Sequence, residues 1–343
     1  MKLLILTQVV DKNDPILGFF HRWIDEFAKH CEHIVVICLR AGTHDLPENV
    51  RVFSLGKETD ESRLKNMTNF YAYVWQERDN YDTVFVHMNQ EYVILAGVLW
   101  KLLRKRIYLW RNHYAGSRLT DLAVLFCTKI FCTSQYSYTA KYKKTELMPI
   151  GIDTEIFKSV HGIERKPRTI LSLGRIAPSK NIHVLIEALA LLHERGVQFI
   201  AHIYGEALPG DKDYYDTVKY SVEEKRLESR VFFHASVPNV ETPAIYSAHE
   251  IFVNMSRSGM FDKTIIEAAA CGCIPIAASE DFKDAAGVDL WFETQNASSL
   301  SIKLQGRLSS SGQPASRITE MLEEVVSQHT LVKLGERVIG AME

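Results

Sequence analysis

Short, nearly continuous apolar runs alternate with stretches of helical spacing along most of the chain, and this alternation restricts the fold more than any other feature. Residues 3–7, 34–39, 51–53, 83–86, 107–110 and 129–132 read as strands. Residues 19–30, 64–76 and 92–103 read as helices, the first with Phe20, Trp23, Ile24 and Phe27 on one side. A strand apolar on both faces must be covered on both faces, so the pattern predicts parallel sheets flanked by helices. The pattern breaks into a charged stretch near 157–168 and then resumes, with strands at 169–173, 199–204, 231–233, 251–254 and 274–277. Helices are expected at 182–195 and 214–225 and around Glu267, with two more closing the chain at 317–328 and 331–342 after a Ser/Gly/Pro loop at 308–316. The expected organisation is an α/β domain over 1–157, a linker over 158–168 and a second α/β domain over 169–325. A terminal helix within 326–343 is expected to pack back toward the first domain. In such sheets ligands bind beyond the carboxyl ends of the strands, which singles out residues 11–18, 87–91, 111–113 and 134.

Totals exclude several classes. A net charge of −2 over 343 residues gives no global pull toward nucleic acid. No apolar run reaches the ~18 residues of a membrane span. The first apolar run stops at Thr7-Gln8 and is followed by Asp11, Lys12, Asn13 and Asp14, so it reads as a strand and not as a signal peptide. The cysteines at 31, 38, 127, 132, 271 and 273 form no CxxC pair and read as reduced core residues, and the histidines show no metal-ligand spacing.

Chemistry is concentrated in residues 256–277, SRSGMFDKTIIEAAACGCIPIA. A polar loop containing Gly259 leads into a helix through Ile265, Ile266 and Ala268, and Gly272 marks its end before a new strand. First-turn amides lack internal partners and favour an anion. Glu267 lies within this apolar helix, where a carboxylate needs a polar partner or solvent; a nucleotide-hydroxyl ligand and a solvent-facing carboxylate both remain open. Upstream, residues 171–181 (LSLGRIAPSKN) place Gly174, Arg175 and Lys180 at a strand–helix turn. Glycine permits close backbone approach, and two cations suit a diphosphate, although Ser179 could simply cap the helix.

Together, LGRIAPSKN and SRSGMFDKTIIEAAACGCIPI resemble the retaining glycosyltransferases of family 4. MPIGIDTEIF at 148–157, AHIYGE at 201–206 and VFFHA at 231–235 extend the likeness over nearly the whole chain. The resemblance implies the GT-B fold, two Rossmann-like βαβ domains with parallel sheets facing a central cleft, the acceptor on the N-terminal domain and the nucleotide-sugar donor on the C-terminal one. Arg175 and Lys180 would hold the donor diphosphate and His113 would contact the donor sugar. Glu267 would accept from the ribose hydroxyls. The loop of Gly259, Met260, Phe261, Asp262, Lys263 and Thr264 would cradle phosphate and sugar, with the base near Val237. Gly18 and Gly174 would let the backbone approach the donor. The activity implied is transfer of a sugar from a UDP- or GDP-sugar to a glycan or lipid-linked acceptor with retention of configuration. It needs no metal or cofactor beyond the donor substrate. The likeness also implies a role in cell-surface polysaccharide synthesis, in the cytoplasm or at the inner face of the membrane.

Three positions depart from the family pattern. Gly259 replaces the first of two glutamates normally eight apart, which raises the question of whether Asp262 substitutes. Ile150 stands where asparagine is common. A single Gly18 replaces a glycine pair, within GFFHRW, which reads either as part of an acceptor site or as a helix burying Phe20 and Trp23. Lys101, Arg104, Lys105 and Arg106, and the run Tyr136, Tyr138, Lys141, Tyr142, Lys143 and Lys144, suit peripheral contact with an anionic membrane or are solvated helix faces. A non-catalytic nucleotide-sugar-binding protein and a nucleotide-sugar epimerase are the rival functions.

Overall fold

The computed structural model describes residues 1–14, 16–60, 62–309 and 316–343; most of the loop expected at 308–316 lies outside the described residues. The chain divides into two compact units, Met1–Gly151 with Leu331–Glu343, and Ile152–Thr330.

The first unit runs β1 (Lys2–Val10), α1 (Gly18–Ala28), β2 (His33–Ala41), β3 (Val50–Ser54), α2 (Arg63–Gln76), β4 (Thr83–His87), α3 (Gln90–Leu102), β5 (Arg106–Trp110), α4 (Arg118–Phe126), β6 (Lys129–Cys132) and β7 (Thr145–Leu147). Its seven strands are all parallel, in the order β3-β2-β1-β4-β5-β6-β7. Leu3, Ile5, Val36 and Phe85 point to the face covered by α1, whereas Leu4, Leu6, Val35 and Val84 point to the face covered by α2, α3 and α4. Alternate side chains of one strand thus fill two cores, which is why these strands are apolar throughout.

The second unit runs β8 (Lys166–Leu173), α5 (Ile182–Glu194), β9 (Ile200–Tyr204), α6 (Lys212–Glu224), β10 (Val231–His234), α7 (Thr242–Ala248), β11 (His249–Asn254), α8 (Lys263–Ala270), β12 (Ile274–Ala277), α9 (Glu280–Ala286), α10 (Ala297–Ser309) and α11 (Ser316–Gln328). Its five strands are parallel, in the order β10-β9-β8-β11-β12. The chain leaves β8 toward β9 and β10 and returns to β11 on the other side. The switch point therefore falls between β8 and β11, where the diverging loops open a crevice at the strands' carboxyl ends.

Helix α12 (Leu331–Gly340) belongs to the first unit and buries Leu334, Val338 and Ile339 in the core formed by Phe20, Trp23 and Phe27 of α1. Phe20 and Trp23 are thus core residues, the second of the two readings of GFFHRW. The Trp23 indole donates to the Gly151 carbonyl at 3.2 Å.

The units divide between Gly151 and Ile152, ahead of the stretch at 158–168 where a linker was expected. The physical reason is tethering. Ile152 bridges Thr330 and donates to the His329 carbonyl, Ser159 donates to the Cys271 carbonyl, and the Val160 amide donates to the Ser247 hydroxyl. The charged stretch is therefore fastened to the second unit, and its polarity reflects surface exposure. Helices α4, α7, α9 and α10 and strand β7 were not anticipated from the sequence. All six cysteines are buried thiols. Among the described residues no helix is long and apolar enough to cross a membrane.

Candidate active site

The loops after β8 and β9 are joined back to back. The Gly174 amide donates to the Tyr204 carbonyl at 3.0 Å and the Ile176 amide to the Glu206 carbonyl at 3.0 Å. A Cβ on Gly205, whose φ is 150°, would lie 2.0 Å from the Gly174 carbonyl oxygen. Only glycine permits that approach without moving the backbone, so Gly205 fixes the path of the loop that carries Arg175. Gly174, with φ 140°, is itself in a conformation that side chains disfavour. Arg175 is exposed, and its guanidinium makes no hydrogen bond or ion pair with other described residues.

Lys180 follows in a short turn that ends at the buried, left-handed Asn181, whose amide group donates to the Met255 carbonyl at 3.2 Å. This bond ties the start of α5 to the loop after β11. It brings the Lys180 Nζ to 2.7 Å from Asp262 Oδ2 and 3.2 Å from the Ser256 hydroxyl. Ser172, Leu173, Gly174, Arg175, Lys180 and Ser256 line a shallow crevice, open to solvent, at the switch point.

Asp262 is the N-cap of α8, accepting from the Thr264 amide at 3.2 Å and the Thr264 hydroxyl at 2.9 Å through Oδ1. Its Oδ2 accepts from Lys180, from Asn254 Nδ2 at 3.2 Å and from the Ser256 hydroxyl at 3.0 Å. Burial opposes ionisation of this carboxyl, but the Lys180 ammonium and the hydrogen bonds from Lys180, Asn254 and Thr264 outweigh it and hold Asp262 well below the ordinary carboxylate range. A carboxylate has about four lone-pair sites. With these partners Asp262 is saturated and turned toward Lys180.

Gly259 is buried, with φ 98°, and donates its amide to Asp281 Oδ2 at 3.1 Å. A glutamate here would have to adopt a left-handed backbone, which disfavours any side chain at this point of the loop. The open amides expected over 259–264 are partly engaged, those of Gly259 and Thr264 by carboxylates of the same unit. Negative charge at a helix N-terminus is favourable whether it belongs to the protein or to a ligand. Asp281, buried at the start of α9 and also accepting from the Ser279 hydroxyl, was missed by sequence reasoning. Its position just after strand β12 was the signal available. Met260, Lys263 and Thr264 are half-buried, and Phe261 is buried with its ring edge-on to His329.

Helix α8 presents Ile265, Ile266, Ala268 and Ala269 to the core and stops at Gly272, which is left-handed at φ 77°. Glu267 is 5% exposed, so it does not face solvent. The fully buried Tyr246 hydroxyl donates to it at 3.5 Å. Burial, followed by the negative charge of Glu267, pushes the Tyr246 phenol well above its ordinary value.

Val237 lies half-buried in the loop after the edge strand β10. Gly18 and His113 are in the first unit. Gly18 opens α1 and donates to the Asp14 carbonyl, within a loop that Asp14 organises by accepting from the amides of residues 16 and 17 and pairing with Arg40. His113 is half-buried and stacks on Tyr114, with its Nδ1 2.9 Å from the Ala115 amide nitrogen and 3.1 Å from the Ala115 carbonyl oxygen. His87 is a satisfied core residue, stacked on Phe20 with ring centroids 3.9 Å apart and 3.3 Å from the Thr7 hydroxyl.

Four cations of the basic runs are engaged. Lys141 lies 3.3 Å from Asp121 and over the Tyr138 ring, Tyr138 and Tyr142 donate to Asp121, and Lys144 donates to the Cys127 carbonyl. Lys105 donates to the carbonyls of Arg78 and Tyr81, and Arg106 to the Thr83 hydroxyl and the Glu343 carbonyl.

Residues 153–284, which hold every element of this cluster, match the family described as Glycosyl transferases group 1. Mannosylfructose-phosphate synthase of Agrobacterium fabrum is 31% identical over 150 residues, 39% of this chain and 32% of the relative. Alpha-monoglucosyldiacylglycerol synthase of Streptococcus pneumoniae is 28% identical over 140 residues, 40% and 30% of the two chains. The matched region thus spans about a third of these curated relatives. Likeness of fold extends further. Anabaena HepE in complex with UDP superposes with a TM-score of 0.80 at 18% identity, covering 99% of both chains. Sucrose-phosphate synthase of Thermosynechococcus elongatus does so at 0.76 and 17% identity, covering 99% of this chain and 98% of the other. The fold is GT-B, with one parallel-sheet α/β domain of seven strands and one of five.

Proposed function

We propose that this chain is a glycosyltransferase that moves a sugar from a nucleotide diphosphosugar to an acceptor with retention of configuration, using the β8–β11 crevice of the second unit for the donor. The observation that carries the reading is the convergence of Arg175, Lys180 and the α8 N-terminus on one switch point, with Glu267 buried on the same helix. Arg175 supplies an uncommitted fork for phosphate oxygens, while Lys180 is already oriented by Asp262 and Ser256. A diphosphate arriving there shares Lys180 with Asp262, and the cations stabilise the charge that develops on the leaving phosphate. That electrostatic contribution needs no metal in this reading, and the leaving phosphate itself accepts the acceptor proton on the same face. Glu267 is assigned to the ribose hydroxyls, the loop after β10 around Val237 to the base, and His113 to the donor sugar.

The relatives are named for different products, a mannosylfructose phosphate and a glucosyl diacylglycerol. We therefore leave the acceptor as a glycan or a lipid-linked acceptor, and assign the reaction to cell-surface polysaccharide synthesis at the cytoplasmic side. A screen of UDP- and GDP-sugars for nucleotide release tests the reading. Turnover of one donor, abolished by Lys180→Ala, supports it. Binding of a donor without turnover in the presence of any acceptor supports the non-catalytic alternative, and interconversion of the donor sugar supports the epimerase.

A further inference from the structure

The two cations of the β8–β11 crevice are held in opposite ways. Arg175 is exposed and makes no hydrogen bond or ion pair through its guanidinium with other described residues, whereas Lys180 is already paired. Among the described residues no other charged side chain lines the crevice. Asp262, with Oδ2 2.7 Å from the Lys180 ammonium, is not part of the crevice wall. It meets Lys180 from beneath the lining, where Asn254 and Ser256 donate to the same oxygen. The Lys180 side chain is 31% exposed and that of Asp262 16%, so a ligand reaches the lysine more readily than the aspartate. Within this group of three, one carboxylate cancels one of two cations.

Distance decides how strongly a bound phosphate feels Asp262. A phosphate oxygen accepting from Lys180 lies about 2.8 Å from the ammonium. With Asp262 on the same nitrogen, the two anionic oxygens are at most about 5.5 Å apart. Protein covers most of the carboxylate, so water screens the repulsion poorly and each added charge on the phosphate is penalised. Asp262 does not escape by taking a proton. Burial opposes its ionisation, but the Lys180 charge and the hydrogen bonds from Lys180, Asn254 and Thr264 hold it well below the ordinary carboxylate range. Nor is it free to swing away, because its other oxygen caps α8 through the Thr264 amide and hydroxyl. Donor and product differ in the charge that meets this pair. In a nucleotide diphosphosugar each phosphorus carries one ionised oxygen, and the terminal one is also esterified to the sugar. Transfer breaks the bond from the anomeric carbon to that ester oxygen, which keeps the electron pair and takes the acceptor's proton. A terminal phosphate loses its second proton at a pKa of about 6. At neutral pH the product therefore sheds that proton to solvent and carries one more negative charge than the donor.

We propose that Asp262 makes this crevice discriminate against the released nucleoside diphosphate in favour of the intact nucleotide-sugar, and so favours exchange of product for donor. The role rests on the crevice being the donor site. Lys180 attracts the phosphate, and Asp262, sharing the same ammonium, limits how much negative charge is retained there.

The test is calorimetric titration of the full chain with UDP and with its β-methyl ester, which has the charge of a donor and no sugar. The corresponding guanosine pair is titrated alongside. The wild type is expected to bind the methyl ester at least as tightly as the free diphosphate. Asp262→Asn keeps the shape and an N-cap acceptor for Thr264 while removing the charge. It is expected to bind the free diphosphate about tenfold tighter and the ester about threefold tighter, shifting selectivity toward the product. Asp262→Ser, a smaller neutral N-cap, is expected to shift selectivity in the same direction. A merely structural role would weaken both ligands alike and leave their ratio unchanged. An unchanged ratio in the variants overturns the proposal whatever happens to the absolute affinities. So does a wild type that binds the free diphosphate several-fold tighter than its ester, a result that needs no variant. Binding of none of the four ligands by wild type or variants overturns the donor-site reading, and this role with it.

Discussion

The two units have the same plan, parallel strands between helical layers, yet they place their unusual residues in different layers. In the second unit the departures are at the strand ends: a lysine and an aspartate within 2.7 Å, a buried glutamate, and amides bonded to carboxylates. At the corresponding switch point of the first unit, between β1 and β4, His87 stacks on Phe20 and is part of the core. Its anomaly is on the outside, on helices whose solvent side is apolar. The comparison teaches that a shared fold does not say where function lies. The informative features are polar groups that are buried and apolar groups that are not.

The comparison breaks most readily at Lys180. Replacement by alanine is expected to lower donor turnover by about a hundredfold or more, measured as nucleotide release. Next is Gly205→Ala. Its Cβ would meet the Gly174 carbonyl, so a loss of about 2 kcal/mol in unfolding free energy is expected, together with weaker nucleotide binding because the Arg175 loop must shift. Thermal denaturation and a binding titration check the two parts.

Glu267→Gln keeps the shape of a buried side chain and removes its charge. Nucleoside diphosphate binding is expected to weaken roughly tenfold, and the corresponding deoxyribose nucleotide should bind the variant and the wild type alike. The smallest effect concerns pH. His202, His234 and His249 lie together at β9, β10 and β11, with His202 Nδ1 2.8 Å from His234 Nε2. Burial lowers all three below the ordinary value of 6.5, and the neighbouring histidines help take His202 to about 4. The unfolded chain therefore binds protons first as pH falls. Stability from the neutral rings is complete above 6.5 and is lost progressively toward about 4. Urea midpoints across this range should fall with acid, and less steeply in His202→Phe.

Much of the fold was legible because each buried parallel strand is a continuous apolar run. The expected runs at 129–132 and 274–277 coincide with Lys129–Cys132 and Ile274–Ala277. Strand β7, Thr145–Leu147, escaped because it is a short edge strand with one apolar residue in three. Helix α4 escaped because it is apolar on its outer side as well, which blurs its period. At the site, spacing identified the turn holding Arg175 and Lys180 and the helix holding Glu267. It could not decide between solvent and interior for Glu267, since both fit one position on a short helix. It also could not foresee that Asp262 would be saturated by Lys180, Asn254, Ser256 and Thr264, or that Asp281 would take the Gly259 amide. The Lys180 and Asp281 contacts join segments 82 and 22 residues apart, and they exist only once the sheet has formed.

The central claim is that the β8–β11 crevice binds a nucleotide diphosphate through Arg175 and Lys180. Calorimetric titration of UDP and of GDP into the full chain, the Lys180→Ala variant and the Arg175→Ala variant tests it most directly. The account predicts saturable binding of one nucleotide to the wild type and a loss of about tenfold or more in each variant. Binding of neither nucleotide, or equal binding by all three proteins, would contradict it.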